Sequence, residues 1–169
     1  GIRFFVWAYT NRHVLYIQDT NGDENWRLYS VDVTMDAIRD LTPFAGVQVQ
    51  LKHASHRHPT EVVIGLNNRD PQWHDLYRLD LLTGALTLWE ENNAYMDYQL
   101  DDDHRLRLAY QMTPDGGIDI VRRAGEAWEA WTSIPAADTL TTNPVGFDQA
   151  GNVLFFKDSR GRNTSAVVA

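Results

Sequence analysis

The 169-residue sequence has no cysteine. That excludes disulfides, thiolate metal sites and cysteine nucleophiles together. It fits a reducing compartment, so a cytoplasmic location is expected. No apolar run approaches the roughly 18 residues that a membrane helix needs, and no basic stretch leads into a signal-like apolar segment. No membrane contact is therefore expected. Basic residues are outnumbered: 15 Lys and Arg stand against 23 Asp and Glu, for a formal charge of −8. Nucleic-acid binding, which requires a basic footprint, is not expected. The acids are dispersed and read as a solvated surface. Helix signals are scarce. The stretch 36–41 could form one turn, but Asp40-Leu41-Thr42-Pro43 reads better as a strand entering a loop. The opening Gly1-Ile2-Arg3 has no initiator Met, as expected of a chain processed or cut from a longer one.

What the sequence does hold is repetition. Short apolar runs open at Val14, Val62, Leu106 and Val153, a period in the forties. A second element follows the first three runs: Trp26-Arg27-Leu28-Tyr29-Ser30-Val31-Asp32, His74-Asp75-Leu76-Tyr77-Arg78-Leu79-Asp80, and Ile118-Asp119-Ile120-Val121. The pairs Leu28/Leu76, Tyr29/Tyr77 and Asp32/Asp80 keep one common spacing. Aromatic and β-branched residues suit pleated surfaces. Asn21-Gly22, Thr83-Gly84, Pro114-Asp115-Gly116-Gly117, Ala150-Gly151 and Arg160-Gly161 supply turns between strands.

Each repeat reads as four short strands. Those of the first are 4–10, 14–19, 26–33 and 38–42; of the second, 47–53, 62–67, 75–81 and 85–90. The third has 95–100, 106–112, 118–122 and 127–133, and the fourth has 144–147, 153–157 and 165–168. Four strands per repeat of this length predict an all-β partial β-propeller. Its single domain, 1–169, holds three full four-stranded blades and most of a fourth, at about 1–44, 45–92, 93–136 and 137–169. The alternative, an up-and-down barrel or sandwich, does not require the third elements of two repeats to match residue for residue. Propellers close with about 4–8 blades. Open end faces are therefore expected, to be covered by more of a longer chain or by a second copy in a homodimer.

The segment from Tyr16 to Tyr29 resembles the first blades of the prolyl oligopeptidase family of serine peptidases, in the acylaminoacyl-peptidase and dipeptidyl-aminopeptidase-like branch. Arg39-Asp40-Leu41-Thr42-Pro43-Phe44 is similar to a blade ending of that family. The segments 68–80 and 158–164 resemble its later blades. The resemblance covers nearly the whole chain. It implies an amino-terminal propeller that precedes an α/β-hydrolase domain, docks it and limits access to short peptides. The hydrolase would carry a Ser-Asp-His triad with the serine in a G-x-S-x-G turn. No such turn occurs here, so no residue of this chain is assigned a catalytic role. A different reading is a stand-alone propeller scaffold that binds a protein or peptide.

Every loop between the second and third strand of a blade is expected on one face. Those loops gather Asp23, Glu24, Asp70, Trp73, His74, Asp115, Arg160 and Arg162, with Trp26 beside them. Glu24 is a candidate for a peptide ammonium, and Arg160 or Arg162 for a carboxylate. Hydrophilic loops with no partner are the alternative. The loop 19–25 alternates oxygen ligands as a calcium loop does, but it lacks the later glycine and the closing glutamate. His53, His56 and His58 could hold zinc, yet two of them fall in a turn closed by Pro59. Neither metal nor cofactor is assigned. Asp32 and Asp80 are expected to accept hydrogen bonds in the turns that follow them. The six tryptophans, at 7, 26, 73, 89, 128 and 131, are expected to fill space between blades. Glu90-Glu91 is a paired carboxylate without a visible pocket.

Overall fold

A computed structural model describes residues 1–169. The chain is all-β, with four small antiparallel sheets and one 3-10 turn. The first three sheets are meanders of four strands: β1 (Ile2–Trp7), β2 (His13–Gln18), β3 (Arg27–Asp32) and β4 (Ala37–Asp40); β5 (Val49–Ala54), β6 (Glu61–Asp70), β7 (Trp73–Asp80) and β8 (Leu86–Glu90); β9 (Asp97–Leu100), β10 (Leu106–Met112), β11 (Ile118–Ala124) and β12 (Ala127–Ile134). The fourth has three: β13 (Asn143–Phe147), β14 (Leu154–Asp158) and β15 (Ala166–Val168). This is the partial β-propeller expected from the repeat. The chain has no helix long and apolar enough to cross a membrane.

Contacts divide the chain into two compact units, Gly1–Asn93 and Ala94–Ala169. In the first, β2 alternates strictly between buried and half-buried positions, the period of a strand with one face in a core. Leu15, Ile17 and Leu28 of blade 1 meet Val62, Ile64 and Leu66 of blade 2. Leu28 and Leu76, the matched pair of the repeat, are both wholly buried. In the second unit Leu108, Tyr110, Ile120 and Ile134 of blade 3 share a core with Phe156 of blade 4.

Turn chemistry follows the sequence. The Asp32 carboxylate accepts the Thr34 N–H (3.0 Å) and hydroxyl (2.7 Å). Asp80 accepts the N–H groups of Leu82 and Thr83. Both carboxylates hold turns, as expected. Gly117 is required by crowding: a Cβ there would lie 2.8 Å from the Ile134 carbonyl oxygen.

Three expectations need correction. The segment 68–74 is not a loop. The β6–β7 ladder runs on to the pair Asp70↔Trp73, leaving Pro71 and Gln72 as the turn. A 3-10 turn at Ala136–Asp138 links β12 to β13, where no helical element was expected. Nor do the tryptophans all fill space between blades: Trp26 packs on the core shared by blades 1 and 2 and Trp131 meets Phe156 edge-on, but Trp7 and Trp131 are exposed and the other four only half-buried. Aliphatic side chains make the cores. Arg3, Arg78 and Arg123 lie over the rings of Trp26, Trp89 and Trp128, where a cation is attracted to the ring face and need not leave water.

Register shows a feature absent from the sequence reading. The ladder between the first and second strand is irregular in all four sheets, at Ile2/Phe4, Leu51/His53, Leu106/Leu108 and Pro144/Gly146. Each break inserts one residue: Arg3, Lys52, Arg107 or Val145. Such bulges sharpen the local twist.

Candidate functional site

The candidate residues fall into two groups. Asp23, Glu24, Trp26, Asp70, Trp73 and His74 lie in the first unit; Arg160 and Arg162 lie in the second.

In the β2–β3 loop, Asn21, Gly22 and Glu24 have positive φ. The left-handed backbone suits Asn and Gly and is uncommon for Glu, so Glu24 is held there by its surroundings. Its carbonyl accepts the Gln48 side-chain amide at 3.0 Å, and its side chain is exposed. Asp23 binds the loop to itself, accepting the N–H groups of Thr20 and Asn25, both at 3.1 Å. These backbone bonds hold its carboxyl below the usual range. Asp19 is buried and takes the Gly1 ammonium. The two carboxylates that suggested a calcium loop thus have partners within the chain. Trp26 packs half-buried against the unit's core.

Gln48 also joins this loop to the neighbouring hairpin, because its N–H donates to Asn67 Oδ1 at 2.7 Å. At that hairpin Asp70 accepts the Gln72 N–H and shapes the turn. Trp73 and His74 open β7, half-buried. Beneath them lies a pair that the sequence did not single out. Arg69 donates twice to the buried Asp75, both bonds at 2.8 Å, and Asp75 also accepts the Asn92 N–H. Burial works to raise the Asp75 pKa; the bonds from Arg69 and Asn92 outweigh it and lower the pKa. Of the three histidines considered for zinc, His53 lies in β5 and the others follow it in a turn; the His56 ring meets the Tyr9 ring edge-on.

In the second unit Arg160 is committed. It donates to both oxygens of Asp158 (2.9 and 2.8 Å), to the Thr132 hydroxyl and to the Ser133 carbonyl. Arg160 in turn holds the Asp158 carboxyl down at about 2. Arg162 is exposed, and its backbone N–H donates to the Ser159 carbonyl. An open cavity of about 730 Å³ adjoins Arg160, with Arg107, Arg122, Trp131 and Phe156 on its walls. Three of its arginines carry acidic partners, Asp101 for Arg107, Glu129 for Arg122 and Asp158 for Arg160, and a fourth, Arg123, donates to the Gly125 carbonyl.

No family model matches the chain. Individual proteins do. Over 171 residues, covering all of the chain, it is 45% identical to dipeptidyl aminopeptidase BIII of Pseudoxanthomonas mexicana, and covers 25% of that protein. The resemblance to a prolyl oligopeptidase-family propeller is borne out. Dipeptidyl peptidase family member 6 of Caenorhabditis elegans is 29% identical over 167 residues, 90% of this chain and 23% of that protein. The propeller segment thus spans about a quarter of the length of these curated relatives. Two solved structures share its fold. TolB from Acinetobacter baumannii matches with a TM-score of 0.57 at 12% identity, over 96% of this chain and 44% of that one. A prolyl endopeptidase matches with 0.53 at 14%, over 92% and 26%.

Carboxylates set the acid limit of the propeller segment. Asp32, Asp75, Asp101 and Asp158 all have depressed pKa values in the fold. A depressed group adds stability above its unfolded pKa, about 3.9, and loses that contribution as pH falls towards its folded value. Melting followed by circular dichroism should therefore show a flat Tm from pH 7 to about 5, then a steep fall between about pH 4 and 2. A Tm unchanged at pH 2.5 would contradict these assignments.

Proposed function

We propose that the chain is a non-catalytic propeller portion of a prolyl oligopeptidase-type serine peptidase, where it limits access of peptides and docks an α/β-hydrolase domain. The observation that carries this is the 45% identity along the entire chain to a protein named as a dipeptidyl aminopeptidase, of which the chain covers 25%. The remaining length of such a relative gives room for a catalytic domain. The exposed Glu24 carboxylate suits a peptide ammonium, and the exposed Arg162 guanidinium suits a carboxylate. A cytoplasmic location is part of the proposal, supported by the absence of cysteine.

The test uses the longer protein that carries this segment. Glu24→Ala should lower kcat/KM for short peptides about tenfold, the worth of a charge-assisted hydrogen bond. Arg162→Ala should weaken binding of substrates with a free carboxylate. Unaltered turnover in both variants would remove these residues from the substrate path. One observation favours the second reading, a scaffold that binds a protein partner or a second copy. Phe5 and Trp7 on β1 and Ile38 on β4 are more than half exposed, an apolar surface of the kind that proteins use for docking. Dimerisation of the chain in light scattering, with no effect on peptide turnover, would favour that reading.

A further inference from the structure

A smaller cavity in the second unit, about 310 Å³, has a different character. It sits at the low end of small-molecule sites, roughly 300–1,000 Å³. Asp97 on β9 and Tyr110 on β10 are direct partners across the ladder, so their side chains leave the same face of the sheet. Both line the cavity. Tyr110 is 7% exposed, and its hydroxyl is buried without a hydrogen-bond partner. A buried hydroxyl left unpaired is costly, and native structures rarely leave one so. Asp97 is exposed, with one carboxylate oxygen accepting the Tyr98 N–H at 2.8 Å. Met96, Ile118, Ile134 and Pro144 supply the apolar part of the wall, and Gln99, Thr139, Thr142 and Asn143 the rest.

This arrangement selects a ligand by charge and by shape. The Asp97 carboxylate repels anions. Burial, with Asp97 adding to it, pushes the Tyr110 pKa far up, so the hydroxyl stays neutral and keeps its lone pairs for a donor. A planar guanidinium seeks paired acceptors on one carboxylate or phosphate. Here the hydroxyl left without a partner and the carboxylate on the same sheet face are separate acceptors and form no such pair, which suits a compact ammonium with three rotatable donors. An aliphatic stem would lie along the four apolar walls.

We propose that the cavity at the Asp97–Tyr110 pair binds a primary alkylammonium, with the ammonium donating to the Tyr110 hydroxyl and the Asp97 carboxylate. The site is independent of the peptidase assignment. Its ligand could come from a lysine side chain of a peptide or from a free alkylamine, and the probes separate these sources.

The test is an NMR titration of the 169-residue chain with n-butylammonium and with Nα-acetyl-lysine methylamide. The Nε-acetylated form of the second probe serves as its uncharged match. Saturable shifts centred on Asp97 and Tyr110 are expected, with none from the uncharged probe. Saturation by both amines marks a general amine site; saturation by the lysine probe alone marks a peptide site, and by butylammonium alone a free-amine site. Tyr110→Phe, checked as folded by circular dichroism, should bind about tenfold more weakly. Asp97→Asn should bind about threefold more weakly, as expected for a partly solvated ion pair. No saturation by either amine overturns the proposal. So does equal binding of the acetylated probe, or a folded variant of either residue that binds like the parent.

Discussion

Asp101→Ala is expected to cost the second unit about 3 kcal/mol, the lower end for breaking a buried ion pair. Asp101 is 1% exposed. Its carboxylate accepts the N–H groups of Asp103 (3.1 Å) and Arg105 (3.0 Å), the Arg105 guanidinium (2.9 Å) and the Arg107 guanidinium (2.7 Å). Burial opposes ionisation of this carboxyl, yet the bonds from Arg107 and Arg105 keep its pKa lowered. Arg107 also donates to the Gly151 carbonyl at 2.8 Å and lies over the Phe147 ring. One carboxylate therefore aims the side chain that fastens blade 3 to blade 4. Alanine leaves two N–H groups without an acceptor and frees that side chain. The loss stays near the lower end because both guanidiniums reach solvent and can rehydrate. Asp101→Asn keeps an oxygen for the two N–H groups and should recover part of the loss. Urea unfolding of the three proteins measures the order. A loss below about 1 kcal/mol for alanine would mean that the network contributes little beyond surface pairs.

The second large effect belongs to Ile64 in the first unit. Its side chain is wholly buried between blades 1 and 2, in one core with Leu15, Leu28 and Leu66. Ile64→Ala should destabilise by about 2–5 kcal/mol, and Ile64→Val by about 0.5–1.5. Two sheets packed face to face cannot easily close on a void between them, which favours the upper part of the first range. Equal effects for the two substitutions, read from urea midpoints, would mean that the sheets relax into the cavity.

The blades were legible because their signal is local. Alternation along β2, the spacing of Leu28 and Leu76, and turn residues such as Asp32 and Asp80 each act within one strand or hairpin. Segment 68–74 shows where locality fails. Asn, Arg, Asp and Pro read as loop formers, but β7 offers a partner for one more pairing, Asp70↔Trp73, beyond the irregularity after Leu66, and the ladder continues. The Asp101 network was missed because the acids, those at 101–103 among them, read together as a dispersed, solvated surface. Its burial comes from arginines that fold back over it. The Asp97–Tyr110 pair was invisible for a related reason. Which side chains share a face depends on register, and β9 and β10 slip by one residue at Leu106/Leu108. Among the loop candidates, Glu24 and Arg162 keep exposed side chains while Arg160 is tied to Asp158, Thr132 and Ser133. The motif Asp158-Ser159-Arg160 was the available hint of that pairing.

The bulge between the first two strands of every blade bears on how such a gene can change. In a strand, losing or gaining one residue turns every later side chain to the opposite face. At Arg3, Lys52 or Val145 the ladder already absorbs one extra residue, so a single-codon deletion there straightens the strand and leaves the inward set inward; at Arg107 the same deletion would also remove the partner of Asp101. Each duplicated blade thus carries a built-in expansion joint, and descendants of one ancestral copy can drift in length at that place without losing their fold.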